Sequence, residues 1–389
     1  MSIQRFGALL ILVALTLSGQ GQDRSSFHSP IAFQSQRKPT DLLPSGKYPV
    51  GFRCLVREDS TRSFTSKSGV TRSRPVRMFV WYPARAARGK QPITFRGYVE
   101  AEGHGLADAA PRFGNMTGGI ALSVAQVQAI LDSPTRAIGD AAAAPGRFPL
   151  VLLSGGLNGA AYDHTLLAEY LASHGYVVAT LSPLPEREGE RLAFDKTGLG
   201  VLVGDLRFAL GELAKDSHVD INRLGLAGWS VGGVALAAIE AEDGRVDAFV
   251  SIDSGLSYNY GLPLLNEYVP ARQPSPTPLL DLRGLAPNRF AVARDARYFD
   301  SASGEVLHVN IASLNHAQCT SLALLVSTVT GVGDKANLGD GYRALAAYTK
   351  AFLDRYVRGD RRAVVFLNRD PSGNGFRDDI VTVNPRRSS

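Results

Sequence analysis

The chain has 389 residues, 44% hydrophobic and 20% charged, with 42 Lys and Arg against 36 Asp and Glu. This is enough apolar material for one large core, and it excludes the disordered and fibrous classes. The mild positive charge is scattered over residues 72–88 and the tail, with no basic stripe interleaved with aromatics, which argues against nucleic acid as a partner.

In chain order, Arg5 precedes an apolar run at residues 7–17 (GALLILVALTL), followed by the small and polar SGQGQ. That is the n-region, h-region and cleavage zone of a secretory signal peptide, with cleavage expected near Gly21 or Gln22. The run of 11 residues falls well short of the roughly 20 that span a bilayer. The expected organisation is therefore a signal peptide at 1–22, a leader at 23–44, a folded domain at 45–358 and a polar tail at 359–389, weakly structured apart from residues 363–367. The mature protein is expected to be exported, to the periplasm or the cell exterior. Two cysteines, Cys54 and Cys319, are too few for a disulfide scaffold, and whether they pair is left open.

Residues 48–56 and 75–81 read as an antiparallel strand pair. Residues 84–147 fit neither period and are rich in Ala, Gly and Pro, which suggests an insertion or flap. From residue 148 onward, strands and helices alternate. Residues 148–153 (FPLVLL), 176–180, 223–227, 248–252, 278–282 and 306–311 read as strands. Apolar stripes through Leu166, Leu167, Tyr170 and Leu171, through Leu202, Leu206, Ala209, Leu210 and Leu213, and over residues 231–241 and 342–357 read as helices. The fold class is α/β, a mostly parallel, doubly wound sheet with helices on both faces.

Gly228-Trp229-Ser230-Val231-Gly232 fits G-x-S-x-G and lies directly between an expected strand and an expected helix. A serine at such a turn is held in a strained conformation with its hydroxyl above the sheet. The helix behind it presents free amides and a positive dipole end, so Val231 N–H is the expected first oxyanion donor. The second is expected from the turn Ser154 to Gly159, at Leu157. A serine hydroxyl needs a base, and among seven histidines His316 follows a late strand, as the chain order Ser, acid, His requires. Asp253, ending the strand after the nucleophile helix, is the expected acid, with Asp281 as the alternative. Leu256, Tyr258 and Tyr260, in the loop after Asp253, are expected either to line an apolar acyl pocket or to pack in the core. Asn368, Asp370, Ser372 and Asp379 loosely echo a calcium loop, but Pro371 and the missing acidic first position favour a polar turn, so no metal is expected.

Taken together, YPVGFR, FPLVLLSGGLNG, LASHGYVVA, GWSVGG, FVSID and SLNHAQ resemble the platelet-activating-factor acetylhydrolase group, related to dienelactone hydrolases, over residues 45–357. The resemblance implies an α/β-hydrolase fold, a triad on Ser230, Asp253 and His316, oxyanion amides on Leu157 and Val231, and short-acyl or acetylated phospholipid esters as substrates. Gly155 and Trp229 stand where the group commonly has histidines, and Ser230 replaces the cysteine nucleophile of dienelactone hydrolases. The chemistry expected needs no cofactor. The partners expected are a small-molecule or lipid ester and at most a transient membrane surface, with no obligate protein partner. A peptidase or acyltransferase on the same fold, and a non-catalytic binding protein that retains it, are the rival readings.

Overall fold

The computed structural model describes residues 39–86, 89–287, 292–332 and 335–386. The expected signal peptide and residues 23–38 of the leader lie outside these residues. Strands β1 (Val50–Thr65) and β2 (Thr71–Pro83) form a long antiparallel hairpin. Helices α1 (Phe95–Ala101), α2 (Leu106–Met116) and α3 (Val124–Leu131) follow, then β3 (Ala137–Gly139), β4 (Phe148–Ser154), α4 (Thr165–Ser173) and β5 (Val177–Leu181). The next stretch is α5 (Lys196–Leu213), β6 (Val219–Ser230), α6 (Val231–Glu240), β7 (Val246–Ser254), α7 (Gly261–Tyr268) and β8 (Leu279–Gly284). The chain ends with α8 (Arg297–Asp300), β9 (Val306–Ile311), α9 (Ser321–Thr330), α10 (Lys335–Tyr356), α11 (Arg361–Leu367) and β10 (Val381–Arg386).

The ten strands among the described residues join one sheet in the order β10-β9-β8-β7-β6-β4-β5-β2-β1-β3. The block from β9 to β5 is parallel, β2 runs antiparallel to β5, and β10 antiparallel to β9. The mostly parallel, doubly wound α/β class is what the hydrophobic pattern implied. Its reason is visible in β4, whose residues are all buried. Val151 and Leu153 enter the core beneath α4, α9 and α10, while Leu150 and Leu152 enter the one beneath α5, α6 and α7. A strand covered on both faces has no solvent side, so its sequence is continuously apolar and its neighbours must be helices.

Residues 84–147, expected as an insertion or flap, form three helices and a short strand, with α2 and α3 packed on α9. Residues 363–367, the exception within the tail, lie in α11, whereas the rest, expected to be weakly structured, supplies β10, which becomes the sheet's edge; Pro385 opposite Leu307 is tolerated there because an outer strand has amides without a ladder partner. Residues 321–330 (SLALLVSTVT), β-branched and without a clear helical stripe, form α9 all the same, capped by the Thr320 hydroxyl accepting from Ala323 N–H. Both cysteines are free. The segment carrying Asn368, Asp370 and Ser372 is a turn in which Asn374 donates to Phe366 O, and Asp379 pairs with Arg377. Among the described residues no cluster of three or more metal-ligating side chains occurs, and no helix is long and apolar enough to cross a membrane.

Where α1 ends, the carboxyl of Glu102 is buried and accepts from Ala161 N–H at 3.1 Å. Burial, reinforced by the charge of Asp163, pushes its pKa from 4.5 up to about 8, against the pull of that amide and of Arg112 and Arg77. The folded state thus holds this proton after the unfolded chain has released it. The corresponding stability is complete below pH 4.5 and is lost as pH rises toward about 8. Glu102→Gln, which keeps the acceptor and cannot ionise, is expected to gain on the wild type as pH rises. The difference in Tm should widen by about 2 °C or more between pH ~5 and ~9 in calorimetric scans; a constant difference would refute the buried proton.

Candidate active site

The turn between β6 and α6 places Ser230 at φ 56°, ψ −134°, a conformation that costs an L-residue of order 1–3 kcal/mol. Glycines on either side make the turn possible. A Cβ on Gly228 would lie 2.5 Å from Gly233 Cα, and one on Gly232 only 2.1 Å from the carbonyl oxygen of Gly155. Ser230 therefore stands out from the carboxyl edge of the sheet with the amide of Val231 behind it, in the first helical turn, where amides have no intrahelical acceptor.

His316 Nε2 lies 3.1 Å from Ser230 Oγ, and its Nδ1 lies 2.7 Å from Asp253 Oδ2. With Nδ1–H donating to the carboxylate, Nε2 is left to accept from the hydroxyl. Asp253 is fully buried and takes φ 41°, turning its carboxylate out of β7 toward the imidazole. Burial disfavours its charge. The hydrogen bond from His316, the charge of its ring whenever it is protonated, and then Arg294 nevertheless hold it below the usual carboxylate range. Asp281, the alternative acid, does not reach His316. It is occupied by His308 Nδ1 at 2.9 Å, Ser257 Oγ at 2.9 Å and Arg283.

Three of the other histidines have partners elsewhere. His174 sits on the Tyr170 carbonyl, His218 on Asp216 and His104 within 3.4 Å of the Tyr162 hydroxyl. His164 is fully buried against Trp229, and burial pulls its pKa down to about 4. His28 lies outside the described residues.

Ser230 and His316 open into a cavity of about 750 Å3 whose wall includes Leu157, Val231, Tyr258 and Tyr260. Both expected oxyanion residues thus line the same cavity as the serine. Asn158, at φ 56°, fixes the loop after Leu157, its side-chain amide donating to Leu192 O at 3.1 Å and accepting from Leu192 N–H at 2.8 Å. The pocket expectation for Leu256 is corrected: its side chain is fully buried in the core beside α6 and α7 because the short turn after Ser254 points it inward. Tyr258 borders the cavity, but its hydroxyl donates to Asp253 Oδ2 at 2.8 Å, so it also holds the acid.

Two residues were missed by sequence reasoning. Trp229 stacks on the His316 ring, centroids 4.8 Å apart, and donates from Nε1 to His316 O at 2.9 Å, so the elbow residue seats the base. Arg294 donates to Asp253 Oδ1 at 2.7 Å. Trp229 could have been suspected from its place in the motif; nothing local marks Arg294.

No protein-family model and no curated protein matches the chain. Among solved structures, it is similar to a ferulic acid esterase from Streptomyces cinnamoneus, with a TM-score of 0.60 and 22% identity over 87% of this chain and 97% of that one. The likeness covers most of both chains and shows that they share a mostly parallel α/β fold.

Proposed function

We propose that this protein is an exported serine carboxylic-ester hydrolase that acts through an acyl-enzyme on short-acyl esters, acetylated phospholipids among them. The observation that carries the reading is the continuous hydrogen-bonded line from Ser230 through His316 to a buried, ionised Asp253 at the mouth of a cavity. A binding protein that merely kept the fold would have no need to hold a serine in a strained conformation against a base.

In the first step His316 Nε2 takes the Ser230 proton as Oγ attacks the ester carbonyl, and the amides of Val231 and Leu157 receive the charge developing on the carbonyl oxygen. Collapse of the tetrahedral intermediate passes that proton to the leaving alkoxide. In the second step His316 deprotonates a water, which attacks the acyl-enzyme and returns Ser230. Asp253 stabilises the imidazolium in both steps. Phe194 and Tyr260, ring centroids 5.0 Å apart, give the cavity an apolar side, and Arg191 on its wall offers a positive charge to an anionic headgroup. The sequence resemblance to acetylhydrolases supports the short acyl group, and the apolar run at residues 7–17 supports export.

The test is hydrolysis of p-nitrophenyl esters from acetate to palmitate by the chain from residue 23. Activity confined to short acyl groups is expected. A preference for palmitate would overturn the short-acyl assignment, and inactivity throughout, with no labelling by a fluorophosphonate, would overturn the hydrolase.

A further inference from the structure

Asp253 has more partners than a triad acid needs. One oxygen, Oδ2, accepts from His316 and from the Tyr258 hydroxyl. The other, Oδ1, accepts from Arg294 Nη1 at 2.7 Å and from Gly284 N–H at 3.2 Å. Arg294 is itself fixed, since Nη2 donates to the Gly284 carbonyl and the guanidinium lies 4.3 Å from the Tyr258 ring centroid. Arg294 and the Gly284 amide thus hold the oxygen that His316 does not use, while Tyr258 shares the one it does and packs its ring under the guanidinium.

On the serine-hydrolase reading given above, we propose that Arg294 is a positioning residue that keeps Asp253 ionised and correctly turned, extending activity into acidic pH. The reasoning turns on when each cation is present. In the resting enzyme the imidazole must be neutral to act as a base, so it gives a fully buried carboxylate a hydrogen bond but no positive charge. Arg294 is cationic at every working pH and retains about a third of its side-chain exposure, so its charge is only partly desolvated. Burial works against the Asp253 charge, and Arg294 is among the groups that hold it below the ordinary range. Once protonated, Asp253 would no longer offer the same acceptor to Nδ1–H, and the imidazole would lose its orientation.

The groups facing this pair come from several elements. Tyr258 and Tyr260 lie on the loop after β7, Cys319 before α9, and Asp281 with Arg283 on β8. Across Trp229 stands His164, with Asp163 and Arg112 behind it. Of these, Arg294 is the cation bonded directly to the acid.

The experiment is kcat/KM against pH from about 4.5 to 9 for the wild type, Arg294→Lys, Arg294→Met and Arg294→Gln, with product measured chromatographically from p-nitrophenyl acetate. Arg294→Met and Arg294→Gln are expected to lose about tenfold more activity at pH ~5 than at pH ~8, while Arg294→Lys recovers most of the acid side. Fluorophosphonate labelling at pH ~8 identifies variants whose site is assembled. If a labelled neutral variant keeps a profile parallel to the wild type, or if the lysine variant loses the acid side as far as the neutral ones, the role of Arg294 is overturned. A wild type that neither hydrolyses nor labels removes the hydrolase reading itself, which is a distinct result.

Discussion

Ser230→Ala is expected to lower kcat for p-nitrophenyl acetate by roughly 10⁵- to 10⁶-fold and to abolish fluorophosphonate labelling. The size follows from the geometry. His316 Nε2 lies 3.1 Å from Ser230 Oγ, and without that oxygen the base has no nucleophile to activate. What survives is the contribution of the oxyanion amides and of substrate binding, which accelerate attack by water from an unoptimised position. Removing His316 as well should then cost almost nothing more, because the two side chains act as one unit. The fold should be nearly indifferent, since alanine bears the same backbone strain at φ 56° and Oγ makes no bond that holds α6 in place. A Tm within about 2 °C of the wild type is expected, so lost activity would not be lost protein. A variant retaining more than about a hundredth of wild-type activity would move the nucleophile elsewhere.

That serine was legible because its requirements are local. A strand, a glycine-lined turn and a helix must be contiguous, and Gly228 to Gly232 meets them within five residues. His316 and Asp253 were legible at one remove, since parallel strands place their carboxyl ends on one edge and the order of elements says which ends those are. Contacts that need three-dimensional closure were not legible. Arg294 reaches Asp253 across 41 residues, and the hydroxyl of Tyr258 turns back on the acid five residues before it. Leu256, Tyr258 and Tyr260 share one loop at the active edge, which left pocket lining and core packing both open; the turn after Ser254 buries the first and leaves the others bordering the cavity. The edge strand β10 escaped notice because pairing to β9, more than apolar content, makes it a strand; its run holds Asn384, Pro385 and Arg386. The helices of residues 84–147 were obscured similarly: Pro111 lies inside α2, and packing on α9 overrides its weak local preference.

Asp253→Asn is the second large effect, an expected loss of roughly 10⁴-fold in kcat with little change in KM. An amide in that place can turn its NH₂ toward Nδ1, which then serves best as an acceptor and moves the imidazole proton to Nε2. The base would face Ser230 with its proton already in place. Asp281→Asn supplies the contrast. Asp281 pairs with Ser251 across β7 and β8, whereas Ser254 pairs with Ser230, so Asp281 sits three residues below the active edge, about 10 Å along the strand. Its partners are His308, Ser257 and Arg283, and losing its charge leaves the Arg283 guanidinium without its carboxylate. That variant is expected to lose stability while keeping kcat within about tenfold of the wild type, because the line from Asp253 to Ser230 is untouched. Measured side by side with thermal scans, the two substitutions separate an acid that acts on the imidazole from one that holds the sheet. If Asp281→Asn proved the more damaging to kcat, the acid would have to be reassigned and the proposed role of Arg294 would fall with it.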